Sequence, residues 1–280
     1  MTPQSAAALR CPVCQALLMP LGTSLRCPQG HSYDVAKEGY VNLLPIQKRH
    51  AADPGDNKLM VRARRSFLGA GYYQPFQDAL AELCLQYAPQ EGCTHVVDAG
   101  CGEGSYDRAI LDAFAAEGRP CVLAGFDLSR DAVRLAAKLS PEGAFAVGGS
   151  FCAPIRDGWA DILVNVFSPF AREEFCRMLR PGGVLLYAVP TPRHLFELKE
   201  VLYAEPYENA GEQTEYEGFT RVGERTVTGS ITVDGEQIRN LFAMTPYFWK
   251  TPVAGTKKLN ELDTLTTETG FRFLIYRRQG

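Results

Sequence analysis

The chain has 280 residues, of which 46% are hydrophobic and 22% are charged, and its formal net charge is −3. This composition predicts a globular protein, and the length favours one large domain with a small additional module. The sequence has no run of 18 or more uncharged apolar residues, and its first ten residues lack the apolar stretch of a signal peptide, so we expect neither a membrane span nor secretion. Nine cysteines in such a chain indicate free thiols and metal ligands in a reducing compartment, which predicts a cytoplasmic protein.

Charge is distributed unevenly along the chain. Residues 1–75 carry nine Lys or Arg against four Asp or Glu, a net +5, which leaves −8 for the remainder. A basic segment attached to an acidic body favours a nucleic-acid partner for the first segment. Arg62, Arg64 and Arg65 form the densest part of this positive charge, and a merely solvated helix face is the alternative interpretation.

Two cysteine-containing turns come first in the chain. Cys11 and Cys14 form a C-x2-C pair, and Cys27 and His31 form a C-x3-H pair after twelve intervening residues. Three thiolates and one imidazole at this spacing suit a tetrahedral zinc ion, and because protein atoms fill all four positions the zinc is predicted to be structural. A redox C-x-x-C pair is the alternative. A module this short buries little core, so metal binding is expected to supply its folding energy.

A strand-like segment over residues 34–45 and a turn at 53–56 follow the cysteine turns. A helix from Asn57 to Leu68 then carries the three arginines, and an amphipathic helix is predicted from Phe76 to Tyr87. We place a boundary near residues 46–56, which divides the chain into a small metal-binding module, 1–50, and a larger domain, 51–280.

The larger domain begins with a glycine-rich turn. An apolar strand ends at Asp98 and is followed by Gly100, Gly102, Glu103 and Gly104, which open a helical pattern over 105–116. This order predicts a buried parallel strand, a tight turn and a crossover helix. The Glu103 carboxylate would compete with a pyrophosphate for the positive end of that helix. A phosphate-free sulfonium, S-adenosylmethionine (SAM), therefore fits better than a nicotinamide dinucleotide, while a glycine turn without a cofactor is the remaining alternative.

Strands and helices alternate through the rest of this domain. Strands are predicted at 96–99, 121–126, 144–147, 161–166 and 184–189, and helices at 105–116, 130–139 and 171–179. The alternation predicts an α/β, Rossmann-like, doubly wound and mostly parallel sheet. Two β-rich runs, 225–233 and 271–277, flank a helix that ends at Met244 and are expected to close the sheet as an antiparallel edge pair.

Several side chains follow the predicted strands, where ligands bind in such sheets. Asp127 ends the second strand in the position that grips a ribose. Gly149 stands after the third strand where an acid often accepts from adenine, so we expect the backbone or Ser150 to hold the adenine. At the end of the fourth strand, Asn165 is placed to grip a flipped base and Phe167 to stack on it, with core packing as the alternative for Phe167. No general base is evident.

Motifs at both ends of the chain together resemble the 23S rRNA (guanine-N1)-methyltransferase family. They are the two cysteine turns, Ala36–Pro45, Asp53–Asp56, Ala70–Pro75, Asp98–Gly104, Pro192–Leu195 and Met244–Tyr247. The resemblance covers nearly the whole chain and implies methyl transfer from SAM to N1 of a guanine in hairpin 35 of 23S rRNA. The segment Asn165–Pro169 is more similar to the branch known from Gram-positive bacteria, which is linked to resistance against tylosin-type macrolides.

The resemblance also implies residue roles. Tyr73, the glycine loop and His194 match positions that contact SAM, and a surface histidine is the alternative for His194. The expected cofactor-binding residues are Tyr73, Asp98, Gly100, Gly102, Glu103, Gly104, Asp127, Leu128, Ser150 and His194. The expected catalytic residues are Asn165 and Phe167, and the expected zinc ligands are Cys11, Cys14, Cys27 and His31. The predicted partner is 23S rRNA, and a homodimer stays open.

Two other classes of protein remain possible at this stage. One is a zinc-ribbon nucleic-acid-binding protein whose Rossmann-like body has lost catalysis. The other is a small-molecule SAM methyltransferase that uses its zinc module only for dimerisation. SAM binding separates the first from an enzyme, and methyl incorporation into rRNA separates the second.

Overall fold

The computed structural model describes residues 1–45, 55–211 and 214–280. The strands are β1 Met19–Leu21, β2 Ser24–Arg26, β3 Ser32–Asp34, β4 Tyr40–Asn42, β5 Thr94–Ala99, β6 Cys121–Asp127, β7 Ala144–Val147, β8 Ala160–Val166, β9 Leu179–Pro190, β10 Phe219–Asp234 and β11 Thr264–Arg278. The helices are α1 Pro3–Ala6, α2 Lys58–Gly69, α3 Gln74–Tyr87, α4 Ser105–Ala116, α5 Arg130–Leu139, α6 Arg172–Met178, α7 Phe196–Leu202, α8 Gly235–Ala243 and α9 Val253–Asn260, with a 3₁₀ turn at Pro246–Trp249.

An eight-stranded sheet in the order β10-β11-β9-β8-β5-β6-β7-β4 forms the centre of the protein. The strands from β9 to β4 pair in parallel, and β11 pairs antiparallel with both β9 and β10. The predicted doubly wound sheet and its antiparallel edge pair are therefore confirmed. The chain leaves β5 toward β6 on one side and returns to β8 on the other, so β5 and β8 mark the point where strand order reverses.

Apolar side chains cover both faces of the sheet, as expected for buried parallel strands. On one face, α3, α4 and α5 contribute residues such as Phe76, Phe114 and Val133 to a single core cluster. On the other face, α6 and the N-terminal segment pack on the sheet, and Leu9 and Leu25 share a cluster with Phe126. The N-terminal segment thus occupies a place that crossover helices fill in an ordinary doubly wound sheet.

The N-terminal segment consists of a three-stranded antiparallel sheet, β1-β2-β3, followed by β4. The predicted strand-like segment is present, and its strand β4 pairs in parallel with β7 at the edge of the large sheet, with Tyr40 opposite Phe145. The two predicted domains therefore share one sheet. The predicted boundary lies mostly within 46–54, outside the described residues, as do Lys48 and Arg49 and part of the predicted turn at 53–56.

The connection between β10 and β11 contains α8, which ends next to Met244 as predicted, and also α9, which the sequence pattern did not indicate. Of the helices that the structure describes, none combines the length and apolar character needed to cross a membrane.

Arg10 fixes the N-terminal segment to the body. Its Nε donates to the carbonyl oxygen of Ala153 at 3.2 Å, and its two terminal nitrogens contact Asp157 at 3.1 Å and Glu174 at 3.3 Å. Arg177 contacts the same two acids. Because Arg10 directly precedes the predicted zinc ligand Cys11, this network joins the cysteine turns to the loop that follows β7.

Removing the Arg10 side chain should destabilise the protein. In Arg10→Ala the buried Ala153 carbonyl and the Glu174 carboxylate each lose a donor, and we expect the free energy of unfolding to fall by about 1–3 kcal/mol in urea denaturation. Arg26→Ala is the matched control, since Arg26 is exposed and forms no ion pair among the described residues. Equal stability of the two variants would show that the network does not hold the segment in place.

Candidate cofactor site and zinc centre

The four predicted zinc ligands come together in the N-terminal segment. Their ligand atoms all lie within 4.8 Å of one another. The Cys14 and Cys27 sulfurs are 3.6 Å apart, and His31 Nδ1 lies 3.3 Å from Cys27 Sγ and 3.6 Å from Cys11 Sγ. A tetrahedral zinc with bonds of about 2.0–2.3 Å separates its ligands by roughly 3.5–3.8 Å, so the arrangement fits a closed structural site. This confirms the predicted structural zinc and assigns the imidazole contact to Nδ1.

Loss of one thiolate should remove the zinc. Cys27→Ser replaces a thiolate by a hydroxyl that does not ionise, so we expect zinc content to fall from near one ion per chain toward zero and the Tm to drop. Cys93→Ser is the control, because Cys93 is a partly exposed thiol outside the cluster. Metal analysis and thermal melting measure the two effects. A Cys27→Ser protein with its full zinc content would contradict the assignment.

A cavity of about 820 Å³ opens at the carboxyl ends of β5, β6, β7, β8 and β9, where the strand order reverses. Its volume is near the upper end of the range of about 300–1,000 Å³ that is usual for ligand pockets. Helix α2 and the segment Met244–Trp249 contribute to the opposite wall. The predicted site residues that line the cavity are Tyr73, Gly100, Gly102, Glu103, Asp127, Leu128, Ser150, Phe167 and His194. Asp98, Gly104 and Asn165 are not among the lining residues.

The three glycines of the loop after β5 have different roles. All have positive φ angles, +91° at Gly100, +55° at Gly102 and +90° at Gly104, which other residues rarely adopt. A Cβ on Gly100 would lie 2.6 Å from Ser168 Oγ, and one on Gly104 would lie 2.7 Å from Ala136 Cα. A Cβ on Gly102 would approach only Arg64, at 3.6 Å. Gly104 therefore allows α4 to pack on α5, while Gly102 leaves backbone open to the cavity.

Asp127 connects the glycine loop to the end of β6. Its Oδ2 accepts from the Gly102 amide at 3.2 Å, and its Oδ1 accepts from the Ser129 amide at 2.7 Å. Burial raises the pKa of Asp127, while the Ser129 amide and the charge of Arg64 act against that rise. Each oxygen keeps a second lone pair that can accept from a ligand hydroxyl.

Asp98 lies out of the cavity with Asp107. Both carboxyl groups are buried, with exposures of 1% and 0%, and no other described residue donates to them. Burial raises the pKa of Asp98 to about 7 and that of Asp107 well above its usual range. One of the two must be protonated and donate to the other for the pair to be satisfied. In this structure the Asp98 carboxyl group neighbours Asp107 of α4. Its predicted cofactor contact stays a prediction.

Glu103 presents a free carboxylate oxygen. The side chain is 3% exposed, and its Oε1 accepts from the Ser105 amide at 3.2 Å at the start of α4. Its Oε2 has no hydrogen-bond partner among the described residues, although Glu103 lines the cavity. The Glu103 carboxylate would repel a phosphate, as the sequence predicts. It would attract a cation or accept a hydrogen bond from an acidic N–H.

His194 is held as a neutral donor. Its Nδ1 accepts from the Gly270 amide at 3.1 Å, so the ring proton is on Nε2. Burial, together with the charge of Lys199, lowers the pKa of His194 to about 3. The alternative of a surface histidine is wrong, since His194 is only 7% exposed. Tyr73 is also buried at the cavity wall, and its hydroxyl has no partner among the described residues.

Asn165 lies near the end of β8, and Phe167 is the first residue after that strand. Phe167 is 47% exposed at the cavity and has a φ of +52°, and its ring lies 5.8 Å from that of His194, so core packing is the wrong alternative for it. Asn165 is fully buried, and its Nδ2 donates to the Pro169 carbonyl at 3.3 Å. Asn165 thus shapes the loop that presents Phe167, and its own contact with a base stays a prediction.

The sequence reasoning missed Arg64. Arg64 lines the cavity, forms an ion pair with Asp56 and donates to the Met244 carbonyl at 3.3 Å. The sequence analysis placed Arg64 on an exposed RNA-binding face, and the structure corrects this. Of the three arginines on α2, only Arg62 and Arg65 are exposed. A signal was present in the sequence. Met60, Arg64 and Leu68 recur every four residues, which places them on one helical face, and all three line the cavity.

Comparison with known proteins agrees with the zinc centre. The family model described as "RlmA, N-terminal", a zinc-ribbon model, matches residues 9–52. Among solved structures, the geranyl diphosphate C-methyltransferase from Streptomyces coelicolor A3(2) is similar at 16% identity over 71% of this chain and 75% of that one, with a TM-score of 0.41. A likeness this distant adds nothing to the topology described above.

Three curated relatives are much more similar. The 23S rRNA (guanine(748)-N(1))-methyltransferase of Streptomyces fradiae is 36% identical over 86% of this chain and 85% of that protein. Two proteins named for 23S rRNA (guanine-N(1)-)-methyltransferase activity, from Micromonospora griseorubida and Bacillus subtilis, are 36% and 31% identical over 96% and 95% of this chain, and 97% and 95% of their own lengths. With this identity over almost its full length, the chain belongs to the 23S rRNA (guanine-N1)-methyltransferase family.

Proposed function

We propose that this protein transfers a methyl group from SAM to N1 of a guanine in hairpin 35 of 23S rRNA. The observation that carries the proposal is the composition of the cavity of about 820 Å³. One part of its wall is polar and backbone-rich, formed by Gly100, Gly102 and Asp127, and another part presents the half-exposed ring of Phe167. A cofactor and a base can thus meet in one place, which is what methyl transfer requires.

The lining residues fit SAM in charge and in shape. Asp127 is proposed to accept from the ribose hydroxyls, and Leu128 and Ser150 to contact the adenine. SAM carries a carboxylate, and Arg64 is the one Lys or Arg among the described residues that line the cavity. Arg64 is therefore proposed to hold that carboxylate, and Gly102 to let it approach. When bound, SAM supplies a methyl group already activated by its sulfonium.

The chain's own residues position the base. The Phe167 ring offers a stacking surface for the guanine, and the rings of Phe76 and Phe271 behind it limit its movement. The Nε2–H of His194 is a donor because Nδ1 accepts from the Gly270 amide, and burial lowers the pKa of the ring to about 3, so the ring stays neutral. Guanine N1 must lose a proton during transfer. Asp56 is paired with Arg64 and Asp127 with two amides, so Glu103 Oε2 is the acceptor left open among the described lining carboxylates.

The same proposal extends to the compartment, the position of the modified guanine and the oligomeric state. Binding to rRNA implies work in the cytoplasm, and the likeness of Asn165–Pro169 to the Gram-positive branch supports modification at the guanine that the Streptomyces fradiae relative is named for. A contribution to macrolide resistance would follow from that position. A homodimer stays a prediction.

Replacing Arg64 should weaken SAM binding selectively. Arg64→Gln removes charge-assisted hydrogen bonds, and we expect the Kd for SAM in calorimetry to rise about 10- to 100-fold. Arg62→Gln is the matched control on the same helix, because Arg62 is exposed and does not line the cavity. The proposed role of Arg64 would be lost if both variants bound SAM as tightly as the unchanged protein.

The activity itself is tested on RNA. Methylation at N1 blocks Watson–Crick pairing, so reverse transcription of 23S rRNA should stop at one guanine of hairpin 35 in a strain with the gene and read through in a strain without it. Purified protein and labelled SAM should restore the stop on unmodified rRNA. SAM binding without RNA labelling would point to a small-molecule methyltransferase, and absence of SAM binding to a non-catalytic RNA-binding protein.

A further inference from the structure

Four large apolar side chains that line the cavity are exposed to solvent. Phe151 is 69% exposed, Trp249 65%, Phe167 47% and Leu128 38%. Phe167 and Leu128 already have places in the proposed reaction. Phe151 and Trp249 do not, and two aromatic rings left in solvent at the wall of a ligand cavity indicate a surface that another molecule covers.

Both rings stand on ordered supports. Phe151 lies in the turn after β7, where the Cys152 amide donates to the Gly149 carbonyl at 3.1 Å. Ala153, which follows Cys152, donates its amide to Glu174 and accepts from Arg10 at its carbonyl. The Trp249 ring contacts the Phe248 ring edge-on at 5.2 Å, and Phe248 in turn contacts the buried Phe242 at 5.5 Å. Because these backbones are already fixed, covering the rings costs little ordering entropy.

We propose that Phe151 and Trp249 form a stacking platform for the unpaired nucleotides that flank the target guanine, an inference that rests on the proposed function. N1 lies on the Watson–Crick edge, so the guanine must leave its pair before it can be methylated. Its neighbours then lose a stacking partner. Aromatic side chains replace such partners in proteins that bind single-stranded RNA.

The charge around the rings favours RNA over another class of partner. Lys250 directly follows Trp249 and is exposed, and Arg62 and Arg65 are exposed on α2, the helix whose Arg64 face lines the cavity. None of these three cations has an ion-pair partner among the described residues. Lys250 thus places an unpaired cation directly after an exposed ring, and α2 adds two more at the same end of the sheet, a combination that suits the alternating phosphates and bases of a nucleic-acid strand.

The platform predicts a loss of RNA affinity that is independent of salt. We expect Phe151→Ala and Trp249→Ala each to raise the Kd for an rRNA hairpin with an unpaired loop about 5- to 100-fold, and Trp249→Phe to restore most of the affinity. The slope of log Kd against log salt should stay unchanged, since stacking releases no counterions.

Arg62→Ala combined with Arg65→Ala should flatten that slope by roughly 0.7–0.9 per lost phosphate contact. Val222→Ala is the control, as Val222 is 41% exposed on β10 and does not line the cavity.

Tryptophan fluorescence gives a second measurement. The chain has two tryptophans, and Trp159 is 7% exposed, so the solvent-sensitive signal comes mainly from Trp249. The rRNA hairpin with an unpaired loop should quench the Trp249 fluorescence, and a fully paired duplex of the same length should quench it much less. Trp249→Phe should abolish the difference.

Three outcomes overturn the platform. The first is that both alanine variants bind RNA with the same Kd as the wild-type protein, while the wild-type protein methylates 23S rRNA. This result would leave the proposed function intact. Another is a rise in the Kd for SAM as large as the rise for RNA, because the rings would then serve the cofactor. The third is RNA-independent dimerisation that Trp249→Ala abolishes, which would assign the surface to a second copy of the chain. Absence of rRNA methylation by the unchanged protein would overturn both proposals.

Discussion

A parallel sheet must be covered on both faces, and in this protein the zinc-ribbon segment covers part of one face. Leu9 and Leu25 pack in the same cluster as Phe126, and β4 extends the sheet beyond β7. This segment is too short to fold on its own apolar core, so we expect the zinc at its cysteine turns to supply part of its folding free energy. The zinc centre therefore stabilises the layer on which the cofactor-binding strands lie, in addition to any direct role toward RNA.

The cavity depends on a balance of buried charge. Glu103, Asp127 and Asp56 place three carboxylates along its wall, while Arg64 is the cation that the described wall offers in return. Asp98 and Asp107 lie in the core without a cation beside them among the described residues, and burial raises the pKa of Asp98 to about 7 and that of Asp107 well above its usual range. Arg64 is the positive charge that these three carboxylates face, and the proposed binding of the SAM carboxylate would depend on it.

Local patterns in the sequence predicted what depends on local geometry. The spacing of Cys11, Cys14, Cys27 and His31 and the glycine series after β5 encode turns, and turns are set by neighbouring residues. What the sequence could not supply was tertiary placement. Asp98 was expected in the site from its place before the glycine loop, and the sequence did not reveal that its carboxyl group is buried and does not line the cavity. Arg64 was grouped with Arg62 and Arg65 by proximity in sequence, although the helical period separates it from both. The boundary between two modules was drawn on composition, and composition does not reveal that β4 joins the sheet of the body.

The contacts of Arg10 link the zinc centre to the cavity by a short route. Arg10 precedes Cys11 and holds Ala153, while Glu174 accepts from the Ala153 amide at 2.7 Å. The preceding residues 149–152 carry Ser150, proposed for the adenine, and Phe151, proposed for a flanking base. A shift of the cysteine turns would therefore move both the cofactor wall and the RNA platform at once. Under the two proposals above, one loop, positioned from the zinc side, contributes to both the cofactor wall and the RNA platform, so RNA binding and SAM binding would not divide between the N-terminal segment and the body.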